Sequence, residues 1–215
     1  MTTDPAAADD PSPDRRRVVV LAGPSGSGKT RLAGRLHLEH GWPVVRLDDF
    51  YRDLDDPALP RDEALGIVDW DHPGSWNAPA AVAALVALVD TGTMTAPVYD
   101  IATSRAVGQH EVSAGPGDLV VAEGIFAADI VTALRDAGVL YAAWCIHHRP
   151  SVTFVRRLAR DLAERRKPPP VLLRRGWALM RAEPGIVARL TALGAVGARP
   201  TDVERMLRTR GVAVR

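Results

Sequence analysis

Gly23-Pro24-Ser25-Gly26-Ser27-Gly28-Lys29-Thr30 fits the pattern GxxxxGK(S/T) at every fixed position and follows the apolar run Val18 to Ala22. The glycines allow a tight turn whose backbone N–H groups face an anion. A helix starting near Gly28 adds its own unpaired N–H groups and positive dipole end. A polyphosphate is the natural occupant of such a loop. Lys29 then reaches the β and γ phosphates, and Thr30 offers a hard hydroxyl oxygen to the Mg²⁺ that accompanies them. Lys29 and Lys167 are the only lysines in a chain otherwise supplied with arginine, so lysine is a selective choice here.

Two further positions carry carboxylates where chemistry could use them. Glu123 follows the apolar segment Asp118 to Ala122 and occupies the place from which a carboxylate holds Mg²⁺ directly or through water. Asp48 follows Pro43 to Leu47 and suits a general base, because phosphoryl transfer to an alcohol needs a carboxylate within reach of the attacking hydroxyl. Asp49 is its rival, since adjacent residues at a strand end point opposite ways; Asp48 is the favoured candidate.

These residues need elements to bring them together. Strands are predicted at about Arg17 to Leu21, Pro43 to Leu47, Asp118 to Ala122 and Leu140 to Ile146, with Thr95 to Tyr99 as a further extended segment. Helices are predicted from Gly28 to His40 (stopped by Gly41), from an Asn77 cap through Val89, and near Asp129 to Ala137. Strands alternating with helices imply a parallel sheet covered on both faces, with ligands at the carboxyl ends of the strands. Lys29, Asp48 and Glu123 all lie just past such ends. A further helix is expected over Val152 to Arg166, with Val155, Leu158, Ala159 and Leu162 as its apolar stripe and Arg156, Arg157 and Arg160 on an exposed arc that could clamp phosphates. Pro168-Pro169-Pro170 reads as a stiff spacer, and Leu173 to Met180 and Val187 to Leu193 as two amphipathic helices. The fold class is therefore α/β: a P-loop NTPase-type three-layer parallel sheet with helices on both faces and a helical, arginine-bearing lid. Residues 1–14 are expected to be a disordered tail, 15–167 the core with its lid, and 168–215 a C-terminal helical extension.

Composition sets outer bounds. A chain of 215 residues can bury a full core without staples, and one cysteine, Cys145 in an apolar run, permits no disulfide framework and points to a reducing cytoplasm. The apolar run Ala78 to Val89 is shorter than the roughly 20 residues needed to span a bilayer, so no membrane association is expected. A net charge of +1 argues against general nucleic-acid affinity. The charge is uneven, however: acidic residues crowd Asp48 to Asp71, which suits hydroxyls and metal, and basic ones crowd Arg149 to Arg175, which suits phosphates. Oligomeric state is not legible.

Taken together, the ordered set GPSGSGKT, Asp48-x-Phe50-Tyr51, Asp71-His72-Pro73, Pro97-Val98-Tyr99-Asp100, Glu123-Gly124-Ile125 and Arg156-Arg157-x-x-Arg160-Asp161 resembles the uridine kinase and phosphoribulokinase group of P-loop kinases over about Val18 to Lys167. The resemblance implies an ATP- and Mg²⁺-dependent kinase of a small hydroxyl compound, uridine kinase-like, with Asp48 as the base. Asp71 would bind ribose hydroxyls, Tyr99 would pack on the base, and Arg157 would touch the nucleoside, with His72 and Arg105 as further substrate-binding candidates. Arg160 and Arg165 would hold ATP phosphates, and Thr30 with Glu123 would organise Mg²⁺. The chain differs from uridine kinases after Asp100, where Ile101-Ala102-Thr103-Ser104-Arg105 contains neither the aromatic residue nor the histidine that reads the pyrimidine. Two alternatives stay open: a kinase of another small alcohol (a sugar, a vitamin precursor or a nucleotide), and a regulatory protein that binds and hydrolyses ATP without transferring it.

Overall fold

In the computed structural model, which describes residues 14–62, 66–148, 150–163 and 169–211, strand β1 (Arg17–Ala22) feeds the glycine-rich loop and then helix α1 (Lys29–His40). Gly41 ends α1 in a left-handed conformation, and its N–H bonds to the His37 carbonyl. Strand β2 (Val44–Arg46) follows. It is shorter than the predicted segment because Leu47–Phe50 closes into a 3-10 turn, so Asp48 and Asp49 sit on that turn and not on a strand end. Helix α2 (Ala78–Thr91) is capped by Asn77, whose side chain accepts from the Ala80 N–H, with Pro79 tolerated in the first turn.

Strands β3 (Thr93–Asp100) and β4 (Arg105–Ser113) form an antiparallel hairpin that makes a sheet of its own. Then come β5 (Leu119–Glu123), a 3-10 turn over Ala127–Ile130, α3 (Val131–Asp136), β6 (Leu140–Ile146), α4 (Pro150–Ala163), α5 (Pro169–Ala192), β7 (Val196–Ala198) and α6 (Pro200–Gly211).

The main sheet has the order β2-β5-β1-β6-β7, and every pairing in it is parallel. Val18, Val20 and Ala22 of β1 face one core with α2 and α3, while Val19 and Leu21 face a second with Leu32, Leu36, Val203 and Leu207 of α1 and α6. That double burial is why the strands read as unbroken apolar runs. The arrangement is the three-layer P-loop NTPase-type architecture. Register places Leu21 opposite Glu123 and Arg46 opposite Glu123, so the carboxyl ends of β1, β5 and β2 lie level.

The second half departs from expectation in three places. The two helices predicted after the prolines are one, α5, which begins at Pro169 and runs through Pro184, so the spacer is largely helix. The segment expected to be a helical extension also supplies β7, which pairs with β6. On α4 the predicted stripe holds only in part: Val155 is 61% exposed and Ala159 is exposed, Leu158 is half-buried, the side chain of Leu162 lies outside the described residues, and Thr153, outside that stripe, is fully buried. Phe154 instead lies against Gly176, where the missing side chain lets α5 approach. Among the described residues no helix is long and apolar enough to cross a membrane.

Candidate active site

The glycine-rich loop is anchored on the sheet by close approach. A Cβ on Gly23 would stand 2.3 Å from the Ile146 carbonyl oxygen, and Gly23 has a φ of 143°, so only glycine fits. Inside the loop the Ser27 N–H bonds to the Pro24 carbonyl at 3.1 Å. Lys29 Nζ donates to the carbonyls of Gly23 (2.7 Å) and Pro24 (3.3 Å), which fixes a buried cation within the loop. Two further observations fit a polyphosphate. The Ser27 hydroxyl is buried without a hydrogen-bond partner, and the first turn of α1 has neither a side-chain cap nor an acidic residue.

Carboxylates gather beside this loop. Thr30 Oγ1 donates to Glu123 Oε1 at 3.0 Å. Burial pushes the Glu123 carboxyl above its ordinary range, opposed by the Lys29 charge and then by the Thr30 hydrogen bond. Asp48 Oδ1 accepts the Ile125 N–H at 3.1 Å, across the chain from Gly124, where a Cβ would come within 2.9 Å of that oxygen. Thr30, Glu123 and Asp48 thus present hard oxygens within one pocket of charge, a donor set that fits Mg²⁺, which takes few protein ligands and completes its shell with water and phosphate. Among the described residues no group of three or more His, Cys, Asp or Glu could hold a metal by itself.

Asp49 turns elsewhere. It is buried, lies 3.8 Å from Arg46 and feels His110 on β4; burial raises its carboxyl despite the opposing Arg46 charge. It ties the hairpin to the 3-10 turn, and Asp48 is the member of the pair that meets Glu123.

The other side of the crevice is aromatic. Tyr51 meets Tyr99 (5.7 Å between centroids), Trp70 (5.8 Å) and Phe126 (6.1 Å), and Phe126 stacks on Trp76 at 6.0 Å. Of these, sequence reasoning gave a role only to Tyr99. The signal available was that aromatics make up just 5% of the chain, yet several fall between Tyr51 and Tyr99. Tyr99 Oη donates to the Arg52 carbonyl and Tyr51 Oη to that of Trp70. Asp71 is exposed near Tyr51. His72 caps the 3-10 turn Pro73–Ser75, its Nδ1 accepting the Gly74 N–H at 2.9 Å.

Arg105 pairs with Asp55 at 3.0 Å, beside the bonds Leu54 N–H to Ser104 O and Ala106 N–H to Asp53 Oδ1 that pin the hairpin tip to the loop after β2. Arg156, Arg157 and Arg160 belong to α4, but their side chains lie outside the described residues, as does all of Arg165. Cys145 is a buried free thiol pushed up to about 11 by burial, which rules it out as a nucleophile at neutral pH.

Residues 18–168 match the family described as the Phosphoribulokinase / Uridine kinase family. A uridine kinase of Deinococcus deserti is 33% identical over 156 residues, covering 71% of this chain and 72% of that protein. One from Lactobacillus johnsonii is 28% identical over 152 residues, covering 69% of each. Among solved structures, a candidate fructose transport system kinase from Silicibacter sp. TM1040 aligns with a TM-score of 0.58 at 21% identity over 90% of this chain and 91% of that one, a likeness of fold.

Proposed function

The chain belongs to the phosphoribulokinase and uridine kinase family, which makes it a P-loop phosphotransferase, and from that premise we propose that it transfers the γ-phosphoryl group of ATP to a hydroxyl of a nucleoside. The observation that carries the transfer is the placing of Asp48. Its Oδ1 is fixed by the Ile125 N–H, and Oδ2 makes no hydrogen bond among the described residues, which leaves an oriented acceptor beside the glycine-rich loop. Oδ2 takes the proton of the acceptor hydroxyl as its oxygen bonds to the γ phosphorus; the bond from that phosphorus to the bridging oxygen breaks, and ADP leaves with the electron pair. The loop amides, Ser27 and Lys29 hold the phosphates. Mg²⁺, held by Thr30 and Glu123, would neutralise charge on the phosphate oxygens. Arg157, Arg160 and Arg165 would complete the enclosure from the lid.

Tyr99, Asp71 and His72 border the acceptor side in this scheme, and the relatives named uridine kinases support a nucleoside there. The second reading, a sugar or other small alcohol, is favoured by the hairpin turn, whose polar groups bond one another. A non-transferring role leaves the orientation of Asp48 without purpose. The buried free thiol supports a reducing compartment, and we place the enzyme in the cytoplasm.

The test is ADP release from Mg²⁺-ATP in the presence of nucleosides, sugars and pantothenate-like alcohols. Release that rises with one class supports transfer to it; release that no acceptor changes sinks the transferase reading.

A further inference from the structure

We infer that Arg52 is a positioning residue of the acceptor site: it fastens the loop 69–75, which carries Asp71 and His72, to the hairpin strand that carries Tyr99. On the kinase reading above, on which this assignment rests, those are the residues that border the acceptor.

The acceptor side is assembled from segments outside the main sheet: the loop after β2, the loop 69–75 and the β3–β4 hairpin. No ladder of that sheet fixes them, so other bonds must. Arg52 stands where all three meet. Around it the chain is zipped to the end of the loop: the Asn77 N–H donates to the Phe50 carbonyl at 2.8 Å, Tyr51 forms an antiparallel bridge with Trp76, and the Arg52 N–H donates to the Ser75 carbonyl at 2.9 Å. The Arg52 carbonyl accepts from Tyr99 Oη at 3.1 Å, which joins the hairpin. The guanidinium, on a side chain only 26% exposed, divides between two loops. Its Nε donates to the Gly74 carbonyl at 3.1 Å and one Nη to Asp56 at 2.9 Å. A rigid fork holds two such directions at once, and a lysine ammonium on its flexible stem does not.

Through Gly74 this hold reaches His72. The Gly74 N–H donates to His72 Nδ1 at 2.9 Å, and a Cβ on Gly74 would stand 3.0 Å from that nitrogen, so the ring rests on the residue that Arg52 grips. With Nδ1 accepting, the ring proton lies on Nε2, an exposed donor. The Ser75 N–H and Oγ both donate to the His72 carbonyl, at 2.9 and 2.7 Å, which passes the same hold to the backbone beside Asp71. All of these bonds lie on the acceptor side. Lys29 and Thr30 bond instead to the Gly23 and Pro24 carbonyls and to Glu123, so losing the Arg52 side chain should disturb the acceptor and spare the nucleotide.

The experiment measures kcat and both KM values for full-length Arg52→Met with Mg²⁺-ATP, using uridine, ribose and pantothenate as acceptor probes. For a probe the wild-type protein turns over, the acceptor KM should rise by about tenfold or more, with the ATP KM within about twofold and kcat at saturating acceptor within about threefold. A merely structural role would lower kcat through loss of folded protein and leave both KM values alone; that pattern overturns the inference, as does an unchanged acceptor KM or an equal rise for ATP. Should Arg52→Met fail to fold, Arg52→Lys and Asp56→Ala decide. The lysine variant should raise the acceptor KM by about threefold or more, because one ammonium cannot serve both loops, and Asp56→Ala, which leaves the Gly74 bond, by less than about twofold. The reverse order overturns the inference. ADP release by the wild-type protein that no probe raises overturns the kinase reading and this role together, whereas the other failures strike this role alone.

Discussion

Replacing Gly124 by alanine tests how closely the carboxylate proposed as the base is placed, because it acts on Asp48 without changing it. The new Cβ would stand 2.9 Å from Asp48 Oδ1 and 2.9 Å from Leu47 Cβ, where ordinary contact begins at 3.4 Å. Gly124 is not among the glycines with positive φ, so the backbone accepts alanine and the collision alone is tested. Relief requires a movement of about half an ångström by the 3-10 turn or the Asp48 side chain, away from an Ile125 N–H already 3.1 Å distant. Since a misplacement of about 1 Å can cost about 10²-fold, acceptor-dependent kcat should fall by about tenfold. Crowding of this kind costs about 1–3 kcal/mol of stability, visible in a thermal melt. The KM for ATP should change little, because the glycine-rich loop and Lys29 are untouched. A coupled ADP assay at saturating ATP reads all of this. A folded Gly124→Ala protein with wild-type kcat, or one with kcat intact and only the ATP KM raised, refutes the argument that Asp48 is placed through this contact.

Lys29→Ala should reduce transfer by at least about 10²-fold, since it removes the buried cation of the phosphate loop, and should keep a cooperative melt; near-normal turnover would contradict the loop assignment. Glu123→Gln should stabilise the nucleotide-free protein in metal-free buffer while impairing transfer. Its carboxyl is raised on folding, so its contribution is most favourable below the unfolded pKa and is lost as pH rises through the folded one. The Tm advantage of the variant should therefore grow as pH rises from the ordinary glutamate range through the raised value, and a constant or reversed difference in melts would count against burial as the cause. Thr153→Val should cost about 1–3 kcal/mol in denaturant unfolding. It removes the 2.9 Å bond to buried Glu183, whose other oxygen already has no partner, and a change within error would mean that the pair does not fasten α4 to α5.

What was legible in the sequence was what burial on two faces writes plainly. β1, β5 and β6 are continuous apolar runs, so their ends, and with them Lys29, Glu123 and the vicinity of Asp48, could be located. β4 was not legible because nearly all its residues are exposed, leaving no alternation to read, and without it the wall that Tyr99 and Arg105 help to form could not be assembled. Prolines misled twice: Pro169 and Pro170 lie in the first turn of α5, where a missing N–H costs nothing, and Pro184 lies within that helix. β7, three residues long, earns its place only by pairing with β6. The α4 stripe was misplaced at Val155 and Ala159, and it missed Thr153, buried with its hydrogen bond to Glu183, a polar contact that a count of apolar residues passes over. Which of Asp48 and Asp49 faces Glu123 depended on a 3-10 turn, and single-residue register of that kind is set by tertiary contacts such as the Ile125 hydrogen bond to Asp48 and the Arg46 charge beside Asp49.

Asp48→Asn bears on the central claim most directly. The amide keeps an oxygen for the Ile125 N–H and nearly the same shape, but it cannot take a proton from the acceptor. Acceptor-dependent transfer should fall by about 10² to 10⁴, while ATP binding measured by calorimetry stays close to wild type. Asp49→Asn, measured alongside, should affect stability and hairpin docking more than turnover. Wild-type transfer by Asp48→Asn, or a crippling loss confined to Asp49→Asn, would contradict the assignment of Asp48 as the base.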